Sequence, residues 1–459
     1  MKLVSKNLNN LFSVNTRWSD FSNITPEERL LSWCITYTFV FYLFGALYLI
    51  APIIGWLLLA MLIARWASAK PLDQQNSQWL IKLWILSALI LELALVIGHF
   101  NFELGFDKII KSTIGWAKGW ALLPIFIVLG FSLTIRYQII CRAACIVGLI
   151  AILLTPFLVL AFLIGLPGHL YVSPLKILGG AGAEFFTVII YEIDPFNGSP
   201  RWRFFAPWAP AVGLVANIYF IACWFEKDLK WRTLGLLGNA LMIVMAASRM
   251  GMIVMLIVPL AVWGLSRLTR PWVIISTAVF LFIVTVFFEP ISHFLLTLLE
   301  DIKGARADST RVRAALANIA LYRWQSEAFW FGHGVVESGT HLVEFMPIGS
   351  HHNWFGLLFV KGFVGFLSFL VPFCLTTLVL LVKSQYQVSS RLALGSCLII
   401  GFFSLSENIE ALAYMTWPAW LLIGIGLRST IEDIDTNRHN LLGQFRLLSN
   451  TQSKDQITA

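Results

Sequence analysis

The densest run of potentially reactive side chains is residues 349–365, GSHHNWFGLLFVKGFVG. Ser350, His351, His352 and Asn353 come first, and an apolar run punctuated by Gly356, Gly362 and Gly365 follows without a break. Imidazole is the side chain whose ordinary pKa lies nearest neutrality, so a polar cluster at the mouth of a membrane helix suits proton handling or contact with an anion. The plainer alternative is a helix cap with interfacial polar residues.

Arginines supply the second kind of chemistry. Residues 308–313, DSTRVR, read as a helix start capped by Asp308 or Ser309, followed by an apolar stripe of Val312, Leu316 and Ile319. That start places Arg311 in the first turn, where backbone N–H groups already favour an anion, with Arg313 close behind. Pairing of Arg311 with Asp301 or Asp308 is the duller option. Arg249, after Ser248, closes the seventh span at a close turn before Gly251 opens the eighth, and an ionisable group there tends to be functional or to snorkel. Guanidinium pairs bidentately with phosphate oxygens, so such a face suits a phosphate or diphosphate. Seven of the eight histidines also fall at ends or loops of one membrane face, the plainer alternative being headgroup contact or solvation. His333, Glu337 and His341 are spaced like metal ligands, with Glu344 nearby, but Gly332, Gly334 and Gly339 interrupt the segment, so no metal is expected. No Gly-rich phosphate loop or dinucleotide motif is present, and no cofactor is expected.

The elements that must position these groups are apolar runs of about 20 residues recurring along the chain. With 58% hydrophobic and 13% charged residues, the sequence reads as an all-α polytopic membrane protein partnered by the lipid bilayer. About twelve spans are counted, with both termini on the cytoplasmic side. Residues 1–29 are a cytoplasmic tail, 30–428 the transmembrane helical domain and 429–459 a second cytoplasmic tail. A large extracytoplasmic loop, 289–353, separates the ninth and tenth helices. Residues 30–66 read as two spans, 101–118 as an outer loop, and 166–208 as a Gly- and Pro-rich outer segment. The net charge of +8 requires no nucleic acid, because Lys and Arg on cytoplasmic loops account for it. The first thirty or so residues carry no cleavable signal pattern, so the first span is expected to direct insertion. All six cysteines sit in or beside apolar runs and read as packing residues.

Three features together resemble the O-antigen ligase and polymerase family of membrane glycosyltransferases. They are Ser248-Arg249 at a span end, residues 310–334 (TRVRAALANIALYRWQSEAFWFGHG), and His351 followed at the family's spacing by Gly362-x-x-Gly365. His352 departs from the pattern, since an amide or hydroxyl is usual after the first histidine. The resemblance covers residues 235–385. It implies transfer of glycan from a polyprenyl-diphosphate carrier to an acceptor glycan or lipid, without metal, at the extracytoplasmic face of a bacterial inner membrane. Carried over, Arg249 and Arg311 hold the diphosphate, with Arg313, His352 and Asn353 as further substrate contacts. His351 either deprotonates the attacking hydroxyl or contacts the phosphate. Polymerase and ligase are not separated. Rival readings are a transporter, for bicarbonate or a lipid-linked glycan, and a scaffold subunit of a polysaccharide assembly complex. A transporter places its polar groups near the midplane between broken helices, and Glu92 is its main candidate.

Overall fold

The computed structural model describes residues 24–68, 77–178, 182–194, 198–290, 292–293, 296–297, 307–338, 347–348 and 352–428. His351, Ser350, His341, Glu344, Asp301 and both tails beyond these bounds lie outside the described residues. The described chain is dominated by helices. Five are long and apolar enough to cross a membrane: Leu47–Trp66, Gln78–Asn101, Phe106–Ser132, Tyr137–Leu163 and Asn353–Ser384. This is compatible with an all-α membrane protein. Ala209–Trp224, Arg249–Leu265, Pro271–Val286 and Val388–Phe403 are equally apolar but shorter. At 1.5 Å per residue, 16 residues reach about 24 Å, less than a hydrocarbon core of about 30 Å.

In chain order the helices are α1 (Pro26–Thr36), α2 (Thr38–Leu43), α3 (Leu47–Ser68), α4 (Gln78–Asn101), α5 (Phe106–Lys118), α6 (Leu122–Ser132) and α7 (Tyr137–Leu163). After two β-hairpins come α8 (Ala209–Trp224), α9 (Leu229–Met245), α10 (Arg249–Leu265) and α11 (Pro271–Val286). Then follow α12 (Ala307–Glu327), α13 (Asn353–Ser384), α14 (Val388–Phe403) and α15 (Ala413–Arg428).

Several elements differ from the sequence expectation. The run 30–66 divides into α1, α2 and α3, and α1 starts at Pro26 because Thr25 and Glu28 form a reciprocal capping box. The stretch 101–118 is mostly helix rather than loop. In α5, Phe106, Ile110 and Ile114 recur every fourth residue and stay exposed, while Ser112, Thr113 and Trp116 bond to His99, Glu92 and the Ala88 carbonyl of α4. Helix α5 thus turns its apolar stripe outward and its polar one toward α4, and with α6 it makes up the apolar run Phe106–Ser132. Residues 166–208 contain the hairpins β1 (His169–Val172) with β2 (Thr187–Ile189), and β3 (Tyr191–Ile193) with β4 (Pro200–Trp202).

The core is a sheath of aromatic and small residues. Trp84, Trp120, Phe369, Phe373 and Trp420 stack edge to face across α4, the turn before α6, α13 and α15. Helices α6 and α15 approach so closely that a Cβ on Gly130 would sit 2.2 Å from the Leu421 carbonyl. Small residues at such crossings let helix backbones pack where lipid supplies no hydrophobic drive. At the opposite end from the site described below, Arg142 makes a buried bidentate pair with Glu226, at 3.0 and 3.1 Å, and covers the Trp231 ring. Five of the cysteines are buried, as expected of packing residues, while Cys374 is exposed.

Candidate functional site

Helix α12 forms because its apolar residues have somewhere to go. Val312, Leu316 and Ala320 are buried against Ile348 and Phe359, with Ile319 packed beside them. The stripe read from the sequence is therefore present. Asp308 and Ser309, the expected caps, lie inside the helix, which is already formed at Ala307, and Arg311 falls beyond the first turn. The first-turn argument for Arg311 fails on that boundary. Arg311 and Arg313 are both exposed.

The segment after α12 explains the glycine pattern of the motif. Helix α13 is broken at Gly362, whose φ of 64° and ψ of −168° lie outside the helical region. A break strands carbonyls on one side and N–H groups on the other. Residues 329–334, FWFGHG, supply the missing partners. The N–H groups of His333 and Gly334 donate to the Phe359 and Val360 carbonyls, at 2.8 and 2.9 Å. The N–H groups of Phe363 and Val364 donate to the Phe329 and Trp330 carbonyls, at 2.8 and 3.1 Å. A Cβ on Gly362 would lie 2.4 Å from the Trp330 backbone, and one on Gly332 2.4 Å from that of Val360. The two glycine-bearing motifs are thus halves of one backbone joint.

His333 is bonded into this joint. Its Nδ1 lies 3.0 Å from the Phe359 carbonyl and its Nε2 2.9 Å from Glu327, and the ring is stacked between Phe359 and Phe102. Glu337 accepts from Arg323 at 2.6 Å. Both residues of the metal-like spacing that lie within the description are occupied by protein partners.

Four helices begin around residues 404–412, the connection from α14 to α15. Besides α15 itself, α13 begins there: the Asn353 N–H donates to the Ser404 carbonyl at 3.1 Å, and its Oδ1 accepts from Ile409 N at 3.2 Å. Just before α8, the Trp208 indole donates to Glu407 at 2.8 Å. Strand β4 brings Arg201, whose Nε donates to the Ala246 carbonyl at 3.4 Å, tying the hairpin to the turn that starts α10. Ala247 in that turn has a φ of 48°, an uncommon conformation for a residue with a Cβ. Ser248 then caps α10 by accepting from Gly251 N at 3.2 Å, and Arg249 is the first helical residue. Arg249 opens the following helix rather than closing the preceding one.

Glu407 is the group that sequence reasoning missed. It is 5% exposed. Burial pushes its carboxyl up to about 7, against the opposing pull of Arg313, the Trp208 indole and Arg201. A carboxyl held near neutrality can take or release a proton at physiological pH. Arg201 also shares Glu192 with Arg203, at 3.4 Å from Arg201 Nη1 and 2.8 Å from Arg203 Nε, so the β3–β4 hairpin holds its guanidinium in place. Of the sequence candidates, Asn353 is bonded to this connection, the charge of Arg313 reaches Glu407, and Arg249 starts the helix next to the turn that Arg201 contacts. His352 stands at the N-cap position of α13 without a side-chain capping bond, its ring stacked on Phe355 at 4.1 Å, and burial lowers its pKa from the ordinary value, favouring neutral imidazole. Arg311 lies two residues from Arg313 on α12. His351 is outside the described residues. The available signal for Glu407 was the pair Glu407 and Glu410 in a short connection between two apolar helices.

No family model matches the chain, and no curated protein matches it.

Proposed function

We propose that this protein is a polytopic membrane glycosyltransferase that moves glycan from a polyprenyl-diphosphate carrier to an acceptor hydroxyl. In this reading about twelve spans cross a bacterial inner membrane, with residues 289–353 as the large extracytoplasmic loop and the connection 404–412 on the same face. The observation that carries it is the approach of Arg313 and Arg201, from distant parts of the chain, to a carboxyl poised near neutrality.

The chemistry follows from those groups. An acceptor hydroxyl gives its proton to Glu407, with His351 as the alternative base, and its oxygen bonds to the anomeric carbon. The bond from that carbon to the carrier's diphosphate breaks, and the electron pair leaves on the phosphate oxygen. Arg249, Arg311 and Arg313 offset the charge growing there, with His352 and Asn353 as further contacts. Fixed guanidinium groups stabilise charge that develops in the transition state better than water does. Direct attack inverts the anomeric centre, and chemical analysis finding retained configuration contradicts this mechanism. Purified protein supplied with polyprenyl-diphosphate oligosaccharide tests the reading. Longer lipid-linked chains mark a polymerase, a glycosylated second acceptor marks a ligase, and unchanged donor under both conditions removes the reading.

One observation favours the transporter instead. Helix α13 is discontinuous, and buried Lys361 beside the break feels the charges of Glu92 and Glu410. Broken helices with buried charge are the hallmark of transporter sites. Substrate accumulation in sealed proteoliposomes, without chemical change in the substrate, distinguishes that class.

A further inference from the structure

Helices α10 and α14 both run away from the candidate site. Arg249 starts α10 beside the turn that Arg201 contacts, and α14 ends at Phe403, just before the connection 404–412. Their far ends lie about 24 Å off at 1.5 Å per residue, toward the other face of a bilayer. Arg267, Arg270 and Arg391 gather there. The Gln385 side chain, between α13 and α14, donates to the Leu265 carbonyl at 2.6 Å and ties that connection to the end of α10. Arg391 folds back onto the same connection, donating from Nε to the Ser384 carbonyl at 2.8 Å and from Nη2 to the Gln385 carbonyl at 3.3 Å. Arg267 donates to the Trp263 carbonyl at 2.7 Å and lies over the Trp263 ring, 5.0 Å from its centroid. Arg270 closes the turn after it, its backbone N–H donating to the Arg267 carbonyl at 2.9 Å.

The charges of Arg267 and Arg270 both bear on Arg391. Among the described residues no carboxylate forms an ion pair with any of the three, whereas Arg65, Arg136 and Arg142 are each paired with a glutamate. Guanidinium groups held together without a counter-charge repel one another, and a bound anion removes that repulsion.

The surface beside the cluster decides which anion. Trp263 and Trp272, on either side of the turn, have ring centroids 5.4 Å apart and are 50% and 45% exposed. Further along, Leu256 and Leu260 of α10 and Ile275 and Phe282 of α11 are exposed. Free phosphate gains nothing from such a surface. A phospholipid matches both parts, with its phosphate on the guanidinium groups, its glycerol at the indoles and its acyl chains along the apolar residues. No carboxylate is paired at the cluster to receive the cationic end of a zwitterionic headgroup, so a net negative one is favoured. We propose that Arg267, Arg270 and Arg391 bind the headgroup of an anionic phospholipid, at the end of the helices away from the candidate site. This site does not rest on the transferase reading.

The test is native mass spectrometry of the full chain, delipidated in detergent. It is titrated with phosphatidylglycerol, with phosphatidylcholine of the same acyl chains, and with glycerol 3-phosphate as a phosphate without chains. Wild type is expected to bind phosphatidylglycerol about tenfold or more tighter than either of the others. Arg270→Gln, at an exposed position, is expected to weaken that binding about fivefold, and Arg391→Gln by at least as much. Arg391→Gln also removes bonds to two carbonyls, so thermal midpoints without lipid check its fold, and Arg270→Gln carries the test should it fail. Lys230→Gln, an exposed charge at the start of α9 and outside the cluster, is expected to bind as wild type does. Equal affinity for the two phospholipids, glycerol 3-phosphate binding as tightly as phosphatidylglycerol, or equal losses in Lys230→Gln and Arg270→Gln overturns the proposal. So does binding that appears only after Glu432→Gln and Asp433→Asn, which makes the acidic start of the C-terminal tail the occupant. Transfer activity, present or absent, does not enter the readout.

Discussion

Replacing Glu407 by glutamine removes the buried carboxyl of the connection 404–412 and keeps its shape and its capacity to accept from Trp208. The carboxyl sits at about 7 in the folded protein against an ordinary 4.5. The sign follows from proton counting. Below 4.5 both folded and unfolded chains carry the proton, and burial of the neutral acid has no linkage cost. Between 4.5 and 7 the unfolded chain loses its proton first, so folding binds protons and stability falls as pH rises. Above 7 the difference is constant. The shift corresponds to about 3 kcal/mol of stability lost across that window. Glu407→Gln carries no such dependence. Thermal midpoints of the two proteins, taken from pH 4.5 to 8.5 in one detergent, are therefore expected to diverge, with the variant gaining on wild type as pH rises and the gap levelling above neutrality. Heating a membrane protein is commonly irreversible, so matched scan rates are needed. Parallel curves refute the assignment of a neutral-range carboxyl at this position. A gap that widens as pH falls reverses its sign and refutes it equally.

Other outcomes follow from the same geometry. Arg313→Ala removes a charge that holds the Glu407 pKa down, so the wild-type inflection in the stability profile moves to higher pH, and a shift to lower pH contradicts the pairing. Gly362→Ala forces a Cβ into the backbone at 2.4 Å with φ at 64°, and folded yield measured by size-exclusion chromatography drops sharply. Gly264→Ala, with nothing within 4 Å, leaves that yield unchanged or raised. If the proposed transferase uses Glu407 as base, its rate rises with pH to a plateau just above neutrality, and Glu407→Gln lowers the plateau by about 10²–10⁴.

Much of the scaffold was legible because hydropathy reports it directly. Long apolar runs became helices, and the Val312–Leu316 stripe became the buried face of α12. Ser248-Arg249 was legible as a helix junction, though not which helix Arg249 begins. The helix at 106–118 was hidden because only Phe106, Ile110 and Ile114 mark its exposed face, and its inner face is polar where it bonds α4. The break in α13 was hidden because hydropathy carries no backbone angle; Gly362 gave the only local hint. Glu407 was hidden because its burial comes from Trp208 and Arg201, which are remote in sequence. Lys361 was the signal left unused: an ionisable residue inside an apolar run is by itself a functional-site indicator.

The central claim is that guanidinium groups gathered from separate parts of the chain stabilise a departing diphosphate. Its most direct test is the rate of saccharide transfer from a polyprenyl-diphosphate donor by purified wild type, Arg249→Ala, Arg311→Ala, Arg313→Ala and His351→Ala, each checked for fold. The expected result is transfer by wild type, a fall of about a hundredfold or more for the most damaging arginine change, and a smaller fall for His351→Ala. Folded arginine variants that transfer at the wild-type rate contradict the account, as does a wild type that leaves every such donor unchanged.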